Sequence, residues 1–208
     1  MASSGIIHVN SEFSRTTLPN GIRVVSERLD HVASVSLGVW VWGGSQLEPA
    51  EYAGITHFIE HMLFKGTATR DSVALASEIE NVGGRIGAET DKEYTCFSAK
   101  VLSEHLPLAL DILSDMLLRS TYLPNEIINE KKVVLEEIKL YEDAPDESVH
   151  DLFAETLWSH HPLGRPVIGT SDTVARLTRE DLVQHVAENY VGSRIVVSAC
   201  GDVDLWSP

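Results

Sequence analysis

Cysteine is scarce in this 208-residue chain, with Cys96 and Cys200 its two copies. That is too few for a disulfide-built scaffold, and a chain of this length can bury a core without such staples. Neither has a partner at metal-ligand spacing, so both read as small buried residues. Basic residues are also few. There are 16 Lys and Arg against 31 Asp and Glu, a formal net charge of −15. That balance argues against nucleic acid or an anionic membrane as the main partner. Long apolar runs are missing too. The longest uncharged stretch, Val32 to Leu47, has 16 residues and contains Gly38, Gly43 and Gly44, whereas a membrane-spanning helix needs about 20. Met1 to Asn10 lacks the basic-then-apolar order of a secretory signal. The expectation is a reducing, cytosol-like compartment.

What is present is an ordinary globular composition, 43% hydrophobic and 23% charged. No repeat, low-complexity tract or composition break marks a linker, so one domain is expected over residues 13–204. Residues 1–12 read as an N-terminal extension and 205–208 as a tail. Leu18-Pro19-Asn20-Gly21 predicts a turn inside a hairpin over 13–28. Val35, Leu37, Val39 and Val41 alternate in a strand from Ala33 to Trp42. Helices are expected over Tyr52–Phe64, Ser72–Val82 (stopped by Gly83-Gly84), Ser103–Leu118 with Ser103 as cap, Pro124–Tyr141, Pro145–Trp158 and Thr178–Tyr190. Strands are expected over Arg85–Thr90, Tyr94–Val101 and Arg194–Cys200. Strands and helices intersperse without strict alternation, which predicts an α+β fold.

The chemistry concentrates in Gly54 through Phe64. At 100° per residue, His57, Glu60 and His61 share an arc about 100° wide, while Ile55, Phe58, Ile59, Met62 and Leu63 cover the other side. Two imidazoles four residues apart can hold one metal ion, with a carboxylate between them in reach of a water on that ion. The order is H-x-x-E-H. Chance occurrence in a chain with nine histidines, or a purely structural His pair beside a Glu, is the competing explanation.

A catalytic metal needs a third protein ligand. The helix after Pro124 has an apolar stripe of Ile127, Val134, Ile138 and Tyr141. Glu130 and Glu137 fall on that stripe, and Glu136 points away from it. Carboxylates on a buried stripe are costly unless paired or metal-bound. The other candidates, including His105, His150, His160, His161 and His185, read as surface or structural.

These residues resemble the pitrilysin-like (inverzincin, M16-type) zinc peptidases, and within them the branch of mitochondrial processing peptidase β subunits and their bacterial relatives. The likeness rests on Leu18 to Val24, Gly54 to Gly66, Lys92 to Val101, Glu130 to Ile138 and His161 to Pro166. It implies a mixed, mainly antiparallel sheet packed by helices, the metallohydrolase fold shared by processing peptidases and S-ribosylhomocysteine lyases. It also implies one Zn²⁺ per chain held by His57, His61 and Glu137, the last standing 76 positions after His61. Glu60 matches the general base, and Glu130 a second acidic position of the catalytic centre. The implied reaction is cleavage of unfolded peptides or presequence-like segments. Zinc polarises the carbonyl and acidifies a water, and Glu60 carries the proton to the leaving amine. The peptide would add as a strand along Gly87, Ala88, Glu89 and Thr90.

Two departures stand out. Many relatives carry Asn and an aromatic residue where this chain has Gly87 and Glu89, and Glu89 would favour basic peptides. Relatives are also built from two or four such domains, and this chain matches the first, so a second homologous domain or subunit, as homo- or heterodimer, is implied. The bacterial branch implies the cytoplasm and the mitochondrial branch the matrix. The alternatives are a non-catalytic assembly half and, further off, a small-molecule lyase whose third ligand would be a Cys.

Overall fold

The alternating run Ser34–Trp42 sets the frame of the molecule. Val35, Leu37, Val39 and Val41 are buried on one side, while Trp40 and Trp42 on the other remain partly exposed. In the computed structural model, which describes residues 11–204, this run is the third strand of a six-stranded sheet. Its strands are β1 (Ser11–Thr17), β2 (Arg23–Leu29), β3 (Ser34–Trp42), β4 (Arg85–Thr90), β5 (Tyr94–Leu102) and β6 (Ile195–Gly201). They lie in the order β1-β2-β6-β3-β5-β4. The β2–β6 pairing is parallel and the others are antiparallel. This is the expected α+β architecture with a mainly antiparallel sheet. β4 lies at one edge of the sheet.

The helices are α1 (Ile55–Leu63), α2 (Ser72–Glu80), α3 (Leu106–Arg119), α4 (Pro124–Glu142), α5 (Pro145–Leu157), α6 (Ser171–Arg176) and α7 (Arg179–Asn189). The core lies between them and the Val35 face of the sheet. Phe58, Ile59, Met62 and Leu63 of α1 meet Phe97 of β5, Ile112 and Met116 of α3 and Val134 of α4 there. Full burial of a side chain such as Phe58 contributes about 1.5–3 kcal/mol. α1 is thus anchored on its apolar side, and its polar arc is held in a fixed direction.

The hairpin turn forms as its residues dictate. Gly21 takes φ 91°, and Leu18 and Ile22 close the turn at 2.8 Å. Where the structure departs from the pattern, local hydrogen bonds explain it. The metal-motif helix begins at Ile55 rather than Tyr52, because Gly54 turns left-handed at φ 91° and residues 50–52 form a separate 3-10 turn. Ser103 does not cap α3; it opens a 3-10 turn, and its hydroxyl donates to Asp202 at 2.8 Å. α2 ends at Glu80, and Gly84 N–H returns to the Ile79 carbonyl at 2.9 Å. α6 is six residues long, too short for periodicity to reveal, and its signal is the reciprocal Thr170–Thr173 capping box. β1 begins at Ser11, two residues before the expected domain start. Most of the proposed extension, residues 1–10, and the tail, 205–208, lie outside the described residues.

Candidate active site

Two helices build the site. α1 supplies His57, Glu60 and His61, and α4 packs beside it and supplies Glu130 and Glu137. His57 Nε2 lies 3.9 Å from one Glu137 oxygen, and His61 Nε2 lies 3.6 Å from the other. One ligand atom from each of His57, His61 and Glu137 falls within 4.8 Å of the others, and among the described residues they are the one such group. A tetrahedral zinc with bonds of about 2.1 Å sets its ligands roughly 3.4 Å apart. The donor set and its spacing fit that ion. Glu136, the neighbour that periodicity set aside, is exposed and pairs with Lys139 at 2.6 Å. Cys96, the ligand a lyase reading would require, is buried on β5 opposite Trp40 and outside the donor group.

The protonation chemistry suits a cation. Burial, reinforced by the charge of His61, lowers the pKa of His57 to about 4 and keeps its imidazole in the neutral, ligating form. Burial also works against the charged form of His61. The hydrogen bond and charge of Glu130, with Glu137 and Glu60, outweigh it and raise that group. His61 Nδ1 meets Glu130 Oε1 at 2.8 Å, and the other Glu130 oxygen accepts from Lys65 Nζ at 2.6 Å. With Nδ1 so engaged, Nε2 is left for a metal. Glu130 is buried, and its two partners hold it below the usual carboxylate range against the opposing effect of burial. Its place is therefore behind His61, as a support.

Glu60 faces the same cleft. Burial raises its carboxyl above the usual range, partly countered by a hydrogen bond from Thr90 at 2.5 Å. A raised carboxyl beside two metal-ligating histidines is suited to accept and return a proton near neutrality.

The cleft has a volume of about 350 Å³. Glu89 and Thr90 of β4 line it, whereas Gly87 and Ala88, further back on the strand, do not. Ala88 packs against the core. Glu147, His150 and Asp151 of α5 line it as well, with Tyr141 of α4. His150 read as surface or structural from the sequence, and Glu147 and Asp151 drew no site role, although the spacing i, i+3, i+4 places the three on one helical face. Glu48, likewise without an expected role, is buried and accepts hydrogen bonds from Gly54 N and Thr56 N at 2.8 Å each. Glu48 caps the metal helix from six residues upstream of Gly54. Burial pushes its carboxyl up to about 7. Arg165 reaches the Glu48 carbonyl, which ties the His161–Pro166 loop to the same corner.

A sequence model of the insulinase family (peptidase family M16) matches residues 23–171, a span that contains every residue of this site. The chain belongs to that family. It is 47% identical over 189 residues to an uncharacterized zinc protease, YmxG, of Bacillus subtilis, covering 91% of this chain and 46% of that protein. It is 40% identical to a probable mitochondrial-processing peptidase subunit beta of Arabidopsis thaliana, covering 98% of this chain and 38% of that protein. A protease from Helicobacter pylori shares the fold with a TM-score of 0.89 at 25% identity, over 93% of this chain and 47% of that one. The chain thus spans about half the length of the curated relatives it matches.

Proposed function

We propose that this chain is the metal-bearing half of a zinc metalloendopeptidase that cleaves unfolded peptides, including presequence-like segments. The observation that carries the reading is the convergence of His57, His61 and Glu137 on one point, with Glu60 beside it in an open cleft. Zinc at that point would polarise the scissile carbonyl and make a water more acidic. Glu60 takes the proton of the attacking water and delivers it to the leaving amine. His61 is held in its ligating orientation by Glu130. The free edge of β4 offers main-chain groups to an extended peptide, which suits varied sequences. Glu89, Glu147 and Asp151 add negative charge around the cleft and favour basic side chains in the substrate. The relatives' double length supports a second homologous half, from the same or a partner chain, as the other wall of the working enzyme.

The decisive experiment is Glu60→Gln in the full chain, assayed with and without a homologous second half. One zinc per chain is expected to remain while peptide cleavage is lost. Wild-type cleavage by that variant would remove Glu60 from the mechanism, and loss of zinc would make it a ligand instead.

A further inference from the structure

Thr90 is the last residue of β4, and its hydroxyl donates to Glu60 Oε2 at 2.5 Å. Among the described residues no other hydrogen bond or ion pair holds that carboxylate, although Glu60 projects from α1 into an open cleft. A free glutamate side chain samples many rotamers, and ordering it costs conformational entropy. A base must nevertheless sit within hydrogen-bond reach of one proton. Thr90 is well built to fix it. The β-branched side chain has a stiff χ1. The strand behind it is anchored, because Ile86 and Ala88 pack against the core. Thr90 pairs with Thr95 of β5, which is buried and places its own hydroxyl 3.5 Å from that of Thr90. That contact is a full ångström longer than the one to Glu60, so the Thr90 proton belongs to the carboxylate.

We infer that Thr90 is a positioning residue: its hydroxyl holds the Glu60 carboxylate in place and sets it in register with a peptide lying along β4. The same strand would then carry both the substrate's backbone and the anchor of the base. The inference rests on the reading of Glu60 as the general base and goes beyond a role for Thr90 in touching substrate.

The test uses the zinc-loaded full chain, joined by a homologous second half for the cleavage assays, with Thr90→Val, which keeps the shape and β propensity and removes the hydroxyl, and Thr90→Ser, which restores it. Thr90→Ala stands in if the valine variant folds poorly. Crystal structures of the variants should show the Glu60 carboxylate displaced or disordered with valine and back in place with serine, at one zinc per chain throughout. Peptide cleavage should lose about 10- to 100-fold in kcat with valine. KM should change less than about threefold, and serine should recover most of the loss. Glu60 unmoved in Thr90→Val, or a loss confined to KM, overturns the inference. Wild-type cleavage by Glu60→Gln would instead sink the base assignment, while the carboxylate's position in Thr90→Val would still decide the contact.

Discussion

His61 Nδ1 and Glu130 Oε1 stand 2.8 Å apart, and Glu130 is 4% exposed. A buried carboxylate on a ligating imidazole fixes the ring and raises its basicity, and removing such a partner costs 10- to 100-fold in metal affinity. Glu130→Gln keeps the volume and loses the charge. It should weaken zinc binding by about that factor, read by competition with a chromophoric chelator. Unchanged affinity would demote Glu130 to the ion pair with Lys65.

Glu137 and Glu136 are adjacent on α4, about 100° apart around its axis, and meet different partners. Glu137 reaches both histidines, whereas Glu136 is exposed beside Lys139. Glu137→Gln should abolish stoichiometric zinc. Glu136→Gln should leave zinc intact and change stability by less than about 0.5 kcal/mol. Metal analysis after dialysis separates them, and zinc loss in the Glu136 variant would place the ligand one residue away.

The acidic walls of the cleft should select substrates by charge. Glu147→Lys and Asp151→Lys reverse charge on the α5 wall without touching the metal donors. For a peptide with arginine or lysine near the cut, each should lower kcat/KM by about 10-fold, an effect that weakens as salt rises. A neutral peptide should be cut at nearly the original rate. Equal losses for both peptides would point to a packing effect.

The helix faces of the site were legible because amphipathic spacing on α1 and α4 is a local property: 100° per residue and an apolar stripe single out His57, Glu60 and His61 and leave Glu130 and Glu137 as candidates for a third ligand, between which the family resemblance chose Glu137. Glu130 was legible as a costly carboxylate on that stripe, but its partner His61, 69 positions away, was not. The cap from Glu48, the α5 wall and the hydroxyl of Thr90 were hidden for the same reason. Each depends on where a distant element lands, which composition and periodicity do not encode. Ser103 shows the converse, since a good local cap signal yielded to a tertiary bond with Asp202.

Asp115 offers a prediction about stability rather than chemistry. It is 0% exposed in the middle of α3. It accepts hydrogen bonds from Thr67, Thr69, Arg70 and Arg119, joining α3 to the segment that follows the metal helix. Burial opposes its ionisation, yet these four donors outweigh burial and hold its carboxyl far below the ordinary value of 3.8. Asp115→Ala would remove the buried acceptor of these four bonds and leave Arg70 to its more exposed partners, Glu78 and Asp111. The expected cost is about 2 kcal/mol in urea unfolding, the scale of losing hydrogen bonds to a charged group. The sign with pH follows from the depressed value. Above about pH 4 the carboxylate is ionised in both states and its contribution is complete. As pH falls below that, the unfolded chain takes up a proton that the folded chain refuses, so stability declines. Wild type should therefore lose stability on acidification between about pH 4 and 2, and Asp115→Ala should show a shallower slope over that window. Parallel slopes in the two proteins would mean that other carboxylates govern the acid transition.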